Sequence, residues 1–433
     1  MKKRGKKAWV ISVDAGYGHQ RAAYPLKDIA NERIITANSD KIISDEERKL
    51  WHRIRNTYEF ISRLKETPFF GKFVFGIYDK FQEIPPFFPF RDLSMPTFGS
   101  FYIRKLIRKK GLCQSVIEYV KKEKLPFVTT HFIPALAAHY SGLKKIYCVI
   151  TDTDINRVWV PVNPKKNTIK YLASCKHVVV RLKQYGIKDK DIIFTGFPLP
   201  KENIGGRNYK ILKKDLGNRL ANLDPKKIYI KRHGFNIRSL LGRNFKKKCT
   251  HPLTITYMVG GAGAQQEIGI TIIKALKKKI LSRKVVVNLV AGTRLGVRSH
   301  FEKDLKELKL SKKIGKGINI IFAMDKKSYF TELNEVLRHT DIVWTKPSEM
   351  SFYTGLGLPI IIAPPVGAHE KYNREWLQHI GSGFVQENPE YTDDWLFYWL
   401  DDGRLAEAAW EGFVEAPNLG TYEIENLVLG NKK

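Results

Sequence analysis

The chain is expected to fold as two doubly wound α/β domains, and three observations lead there. Its 433 residues exceed what one ordinary core accommodates, and 43% hydrophobic with 12% aromatic residues suffice to bury two. Short apolar runs recur along it, each ending in polar or glycine-rich residues and followed by a helical stretch, which is the rhythm of parallel strands covered by helices. Two loops of this kind stand near opposite ends, Asp14–Ala23 and Lys346–Asn373, and imply a cleft built from two halves.

In the first half the expected strands are Ala8–Val13, Phe127–Thr130, Lys145–Thr151, His177–Arg181 and Ile192–Thr195. The first runs straight into Asp14-Ala15-Gly16-Tyr17-Gly18-His19-Gln20-Arg21-Ala22-Ala23, a glycine-rich turn that opens a helix. In the second half Thr254–Val259 leads into Gly260-Gly261-Ala262-Gly263-Ala264 and a helix through Ile280, followed by strands Val285–Ala291, Ile318–Phe322, Asp341–Thr345 and Ile360–Ala363. These divide the chain into residues 1–204, 251–392 and an acidic helical tail 393–433, with Asp394–Trp410 as an amphipathic helix. The interval 205–250 reads as a basic linker with an insertion, since residues 201–250 carry 15 bases against 3 acids. An irregular, partly helical insertion is expected at about 45–110; its residues 69–102 hold twelve aromatics broken by Pro85, Pro86, Pro89 and Pro96, which forbid one continuous helix.

Charge and cysteine usage bound the function. The net charge is +32, and from Glu387 onward 11 acids face 3 bases, so the preceding body holds 72 bases against 32 acids, or +40. Such a field attracts polyanions: nucleic acid, an anionic bilayer or a nucleotide diphosphate. No RRM, KH or zinc-finger signature accompanies it, so nucleic acid is not the expected partner. Cys113, Cys148, Cys175 and Cys249 show no metal-ligand spacing and no disulfide framework, which fits a reducing cytosol. The apolar run after the basic Met1–Lys7 stops at Asp14, too short for a signal peptide, and no window approaches a spanning helix, so a cytoplasmic protein is expected.

Ligands of open α/β sheets bind at the carboxyl ends of strands, where the following helix offers backbone N–H groups and its positive dipole end. The Gly260–Gly263 turn sits at such an end, and glycines there let backbone approach a diphosphate closely. The Lys346–Asn373 segment adds Lys346 for phosphate, Glu349 for ribose hydroxyls, and Glu370 with Asn373 for sugar or ribose; the plainer alternative is that Glu349 caps a helix and Asn373 bonds backbone. His19 opens a helix whose dipole disfavours imidazolium, leaving a neutral ring able to take a proton, with Asp14 or Asp152 to orient it or act as base. A capping or phosphate-donating histidine is the plainer alternative. Asp152-Thr153-Asp154 spells the DxD of metal-dependent transferases, but the pattern is short and backbone dipoles and lysines already neutralise a diphosphate, so no metal is expected. His131 and His139, eight residues apart, have poor metal spacing.

Taken together, Asp14-x-Gly-x-Gly-His19-x-x-Ala22, Thr129-Thr130-His131 with Pro134, Thr151-Asp152 with Trp159, Thr195-Gly196-Phe197-Pro198, Gly260-Gly261-Ala262-Gly263, Gly292-Thr293-Arg294, Phe322, and Thr345-Lys346 through Asn373 form an ordered set. The set resembles the GT-B glycosyltransferases of family 28, especially the monogalactosyl- and diglucosyldiacylglycerol synthases, and more distantly the peptidoglycan lipid-linked N-acetylglucosaminyl transferase. The resemblance implies two Rossmann-like domains, an acceptor site in the N-terminal one and a UDP-sugar bound mainly by the C-terminal one without an obligatory metal or other cofactor. It places Phe322 and Ala323 near the uracil, Glu349 near the ribose, and Gly260, Gly261, Gly263, Ala264, Arg294, Lys346, Ser348, His369, Glu370 and Asn373 around the donor. Two departures stand out: Pro347-Ser348-Glu349 is shorter than the family's glycine-rich turn, and His369-Glu370 replaces its usual glutamine.

The expected activity is transfer of a hexose, with inversion, from a UDP-sugar to the hydroxyl of an acceptor such as a membrane lipid, His19 acting as base and Gly260–Ala264, Arg294 and Lys346 stabilising the leaving UDP. A UDP-sugar epimerase of the same fold and a non-catalytic nucleic-acid-binding or scaffold protein are the alternatives. Peripheral attachment to the inner face of an anionic membrane is expected through the basic, aromatic stretch 48–110.

Overall fold

The computed structural model describes residues 7–64, 84–249, 251–260, 263 and 265–430, with backbone alone described at 55–64, 368 and 369. The chain divides into two compact units, residues 1–198 with 420–433, and residues 199–419. Each is built on a six-stranded, all-parallel sheet, giving the two Rossmann-like, doubly wound domains expected from the sequence.

The first sheet runs β2-β1-β3-β4-β5-β6, with β1 Ala8–Ser12, β2 Ala30–Thr36, β3 Phe127–Thr129, β4 Ile146–Val149, β5 Ile169–Ala173 and β6 Ile192–Phe194. β1, β3 and β5 read as near-continuous apolar runs because helices cover both faces of a parallel sheet. The core joins Ala8 and Val10 of β1 to Val128, Val149 and Leu172 on one face. Onto it packs the last helix, Gly420–Leu429, through Ile424 and Val428. The helix begins where a β-carbon at position 420 would lie 2.2 Å from the Phe197 carbonyl oxygen, so only glycine lets the chain return this closely.

The second sheet runs β12-β11-β10-β7-β8-β9, with β7 Leu253–Met258, β8 Val285–Gly292, β9 Ile318–Phe322, β10 Ile342–Thr345, β11 Ile360–Ile362 and β12 Gly383–Val385. Its two long strands, β7 and β8, are paired from Leu253↔Val285 to Met258↔Val290 and almost fully buried.

Several elements differ from the sequence reading. His177–Arg181, expected as a strand on account of three consecutive valines, lies in the helix Lys176–Gln184, and the strand of this region is β5 just before it. β2, an edge strand of mixed polarity, and β12, of three residues, carried too weak an apolar signal to be placed. The interval expected as a basic linker holds the helices Lys210–Leu223 and Ile228–Leu241; the first is anchored in the second unit by buried Arg219, which donates to the carbonyls of Thr340, Leu356 and Leu337. The expected helix Asp394–Trp410 is two helices, Thr392–Asp401 and Arg404–Glu415, separated by Gly403 at φ +74°.

Candidate active site

In each sheet one place has consecutive strands departing in opposite directions, and the loops there splay apart to leave a crevice at the carboxyl edge. In the first unit that place lies between β1 and β3. The loop after β1 carries Asp14 through Tyr17, and the short helix Gly18–Ala23 follows, with His19 as its second residue. The loop is fixed by a reciprocal pair: Asp14 N–H donates to Asn38 Oδ1 at 2.8 Å and Asn38 Nδ2 donates to the Asp14 carbonyl at 2.9 Å. Asn38 stands just beyond β2, and missing that strand hid its role from sequence reasoning.

Opposite, the loop after β3 binds His19 directly. The His19 ring lies with Nδ1 2.6 Å from the Thr130 carbonyl oxygen, while Thr130 Oγ1 donates to the His19 carbonyl at 2.7 Å. A carbonyl oxygen can only accept, so Nδ1 carries hydrogen and the proton-accepting lone pair of the neutral ring lies on Nε2. Thr151 Oγ1, at the end of β4, is 3.3 Å from the same Nδ1. The His131 ring stands edge-on at 4.6 Å from His19, and the Trp159 indole at 6.5 Å. His131 is the N-cap of the helix Phe132–Tyr140: its Nδ1 accepts from Ile133 N–H at 3.1 Å, and burial, with His19 adding to it, holds the ring pKa well below the ordinary histidine value. Thr130, Thr151 and Trp159, noted in the sequence only as landmarks, thus belong to the surroundings of His19. Asp14 and Asp152 follow β1 and β4 at the same edge of the sheet, where the Asp152 carbonyl accepts from Ser174 Oγ at 2.9 Å.

The second aspartate of the DxD triplet has a different occupation. Asp154 is buried; Arg181 grips its carboxylate with Nε and Nη2, both at 2.8 Å, and His177 Nε2 lies 2.9 Å from Oδ2. Arg181 also donates to the Pro85 carbonyl, Gln184 to that of Phe87, and the Phe87 ring stacks on His177 at 3.7 Å. The pair therefore moors the segment 84–90 to the sheet. Beyond that mooring Phe88 and Phe90 are 68% and 63% exposed. The expected contributions of residues 69–83 lie outside the described residues.

In the second unit the crevice lies between β7 and β10. Gly260 follows β7 and Lys346 follows β10, and the two meet: a β-carbon at position 260 would stand 2.5 Å from Lys346 Cε, so glycine is what allows the lysine to lie across the turn. Gly263 N–H closes that turn onto the Gly260 carbonyl at 2.8 Å with φ +78°, and the Arg294 side chain runs beside it. Gly261 and Ala264 lie outside the described residues. Gln265, at φ +68°, ties this loop to the one after β11 by donating to the Pro364 carbonyl at 2.8 Å.

Lys346 Nζ is ion-paired with Glu370, whose other oxygen accepts from Val366 N–H at 2.6 Å and Gly367 N–H at 3.3 Å. Asn373 is fully buried and donates to the Pro347 carbonyl at 3.4 Å. Of these two expected ligand groups, enclosed Glu370 links the Lys346 side chain to the backbone of the loop after β11, and enclosed Asn373 holds the Pro347 carbonyl beside Lys346. Ser348 precedes a 3₁₀ turn, Glu349–Leu356, without capping it through its side chain, and Glu349, partly exposed, begins it. Phe322 ends β9 with the Arg298 guanidinium 5.2 Å over its ring, and Ala323 N–H donates to the Gly292 carbonyl at 3.0 Å. The backbone of His369 lies in the helix Ala368–His379; its side chain is outside the described set. Among the described residues no group of three or more metal-ligating side chains occurs.

Comparison with known proteins adds the following. A family model described as "Domain of unknown function (DUF6938)" matches residues 240–424. The processive diacylglycerol beta-glucosyltransferase of Bacillus pumilus (strain SAFR-032) is 23% identical over 239 residues, which cover 55% of this chain and 49% of the relative, so the chain matches about half the length of that protein. Among solved structures, the Staphylococcus aureus MnaA–UDP complex superposes with a TM-score of 0.49 at 13% identity over 98% of this chain and 96% of its own. The MurG protein of Acinetobacter baumannii gives 0.47 at 12% over 98% and 99%. The UDP-GlcNAc 2-epimerase of Neisseria meningitidis bound to UDP-GlcNAc gives 0.48 at 10% over 98% and 100%.

Proposed function

We propose that this protein is an inverting glycosyltransferase that moves a hexose from a UDP-sugar to the hydroxyl of a membrane lipid such as diacylglycerol. The observation that carries the reading is that each unit places its chemistry at its own sheet's crevice: a histidine whose Nδ1 meets the Thr130 carbonyl, the tautomer that puts the accepting nitrogen at Nε2, in the first, and a glycine turn crossed by a braced lysine in the second. The glucosyltransferase from Bacillus pumilus, whose name specifies diacylglycerol, supports the substrate class.

In the proposed reaction the acceptor hydroxyl gives its proton to His19 Nε2 as its oxygen attacks the anomeric carbon. The bond from that carbon to the diphosphate breaks on the opposite side, which inverts the centre, and UDP leaves with the electron pair. The base must be neutral when substrate arrives, and the Thr130 carbonyl on Nδ1 fixes the tautomer that leaves Nε2 as acceptor. Negative charge on the leaving diphosphate is met by backbone N–H groups of the Gly260–Gly263 turn, by Lys346 and by Arg294. Glu349 serves the ribose, and Phe322 with Ala323 the uracil.

A lipid acceptor agrees with the first unit's surface. Phe88, Phe90, Met95, Phe98 and Phe101 are each at least half exposed, and the helix Phe98–Lys110 ends in Arg108, Lys109 and Lys110. Aromatic rings beside a basic cluster suit an anionic interface, each basic residue near such a surface contributing about 1 kcal/mol. Among the described residues no helix is long and apolar enough to cross a membrane.

The test is calorimetric titration with UDP and a panel of UDP-sugars, followed by transfer to diacylglycerol in anionic vesicles. Saturable UDP binding with a glycolipid product supports the proposal. Sugar isomerisation without acceptor would make it an epimerase, and failure of every uridine nucleotide to bind at millimolar concentration would remove the donor site.

A further inference from the structure

The two histidines at the crevice of the first sheet carry opposite tautomers. His131 follows β3, and Thr129 fixes its backbone: Thr129 Oγ1 accepts from His131 N–H at 3.2 Å and donates to the His131 carbonyl at 3.3 Å. The His131 ring accepts from Ile133 N–H at Nδ1, 3.1 Å away. An amide can only donate, so Nδ1 carries no hydrogen and the ring's hydrogen stands on Nε2, at the far end of the ring from the main chain. His19 is the reverse, with its hydrogen on Nδ1 and its lone pair on Nε2. His131 is only 8% exposed, yet among the described residues its Nε2 has no hydrogen-bond partner, and it is not sealed from solvent. Leaving an enclosed donor without an acceptor is costly, which marks this nitrogen as one that awaits an oxygen from outside the fold.

We propose that His131 selects the acceptor: its Nε2–H bonds an oxygen on the carbon next to the reacting hydroxyl, so that the site takes 1,2-oxygenated lipids such as a 1,2-diacylglycerol ahead of plain alcohols. With His19 as the base, the reading on which this rests, the hydroxyl gives up its hydrogen and needs a lone pair opposite it. The ester oxygen beside that hydroxyl has only lone pairs and needs a donor. The crevice offers one of each, on rings that stand edge-on with centroids 4.6 Å apart, and a plain alcohol satisfies only one of them.

The surroundings hold the donor in place. The His131 ring stacks on Phe132 at 4.5 Å, and Trp159, 5.3 Å from the Phe132 ring, completes an apolar wall. Burial, with His19 adding to it, keeps the His131 pKa well below the ordinary histidine value, so the ring stays neutral and the tautomer persists at neutral pH.

The test compares 1,2-dioctanoylglycerol with 1-hexadecanol as acceptors in the same detergent micelles. The wild type should prefer the diglyceride in kcat/KM, and His131→Asn should lower that preference by about 5- to 150-fold, the range for an enclosed donor whose partner is lost. Asparagine still caps the helix Phe132–Tyr140 but is too short to replace the distal nitrogen. Mere loss of stability would lower both rates together and leave the ratio where it was. A second arm needs no turnover: two-bond ¹⁵N–¹H spectra of histidine-labelled protein should show His131 as the Nε2–H tautomer, identified by its absence in His131→Asn, and dioctanoylglycerol should shift that signal where hexadecanol does not. An unchanged preference in folded His131→Asn, an Nδ1–H tautomer, or a signal indifferent to dioctanoylglycerol would overturn the proposal. A wild type that transfers no sugar while the diglyceride still shifts His131 would remove the transferase reading and keep the contact.

Discussion

Replacing Lys346 separates what this residue does for the fold from what it does for a ligand. Its side chain is 21% exposed and that of Glu370 only 1%, so Lys346→Met leaves a carboxylate enclosed without its cation. Breaking a buried pair by removing one partner costs about 3–5 kcal/mol. Here Glu370 keeps two backbone donors, at Val366 and Gly367, and Lys346 is partly hydrated, which brings the expected loss to about 2–3 kcal/mol. For a unit of this size that is roughly 5–10 °C in melting temperature. Lys346→Met with Glu370→Gln removes the stranded charge while the glutamine oxygen still accepts from the same N–H groups, so the double variant should recover most of the stability. UDP affinity should not recover, because a contact to a charged phosphate is worth about 1.5–3 kcal/mol, or roughly 10- to 150-fold in Kd. Scanning calorimetry without ligand and titration calorimetry with UDP read the two effects apart. A double variant that binds UDP as the wild type does would show that Lys346 serves the loop alone.

Other consequences are equally specific. His19→Gln should lower turnover by about 10²–10⁴-fold with UDP affinity unchanged, checked by initial rates and titration; a normal rate would pass the base role to Asp14 or Asp152. Burial pushes the Asp154 carboxyl up, but Arg181 and His177 overcome this and hold it below the ordinary carboxylate range. With the folded pKa depressed, the stabilisation is present above the unfolded value near 3.9 and is lost as pH falls through the folded one, so Asp154→Asn should flatten the acid limb of a pH–stability curve below about pH 4. Activity should survive chelation by EDTA, since Asp154 is committed to Arg181; complete loss restored by Mn²⁺ would contradict this. Phe88→Ser with Phe90→Ser should release a folded protein from anionic vesicles in cosedimentation, whereas Phe87, stacked on His177, should be left in place because its loss would disturb the mooring itself.

What the sequence made legible follows from what each element must bury. β1, β7 and β8 announce themselves because strands covered on both faces are apolar throughout, and the loops after them inherit their position at the carboxyl edge from parallel connectivity alone. That is why the places of His19 after β1 and Gly260 after β7 at that edge could be read in advance. Pairwise commitments could not. Val178-Val179-Val180 favours a strand by side-chain shape, yet His177 and Arg181 are four residues apart, and only a helix turns both toward Asp154. Tertiary pairing decided the conformation, and the carboxylate that decided it lies 27 residues away from Arg181. Lys346 and Glu370 teach the same lesson at the donor loop: each suits a ligand when taken singly, and their ion pair across 24 residues turns one into the brace of the other. At the short Pro347-Ser348-Glu349 turn that brace, with Asn373 holding the Pro347 carbonyl, fixes the lysine over Gly260, and none of Glu370, Asn373 and Gly260 is a neighbour of Lys346 in the sequence.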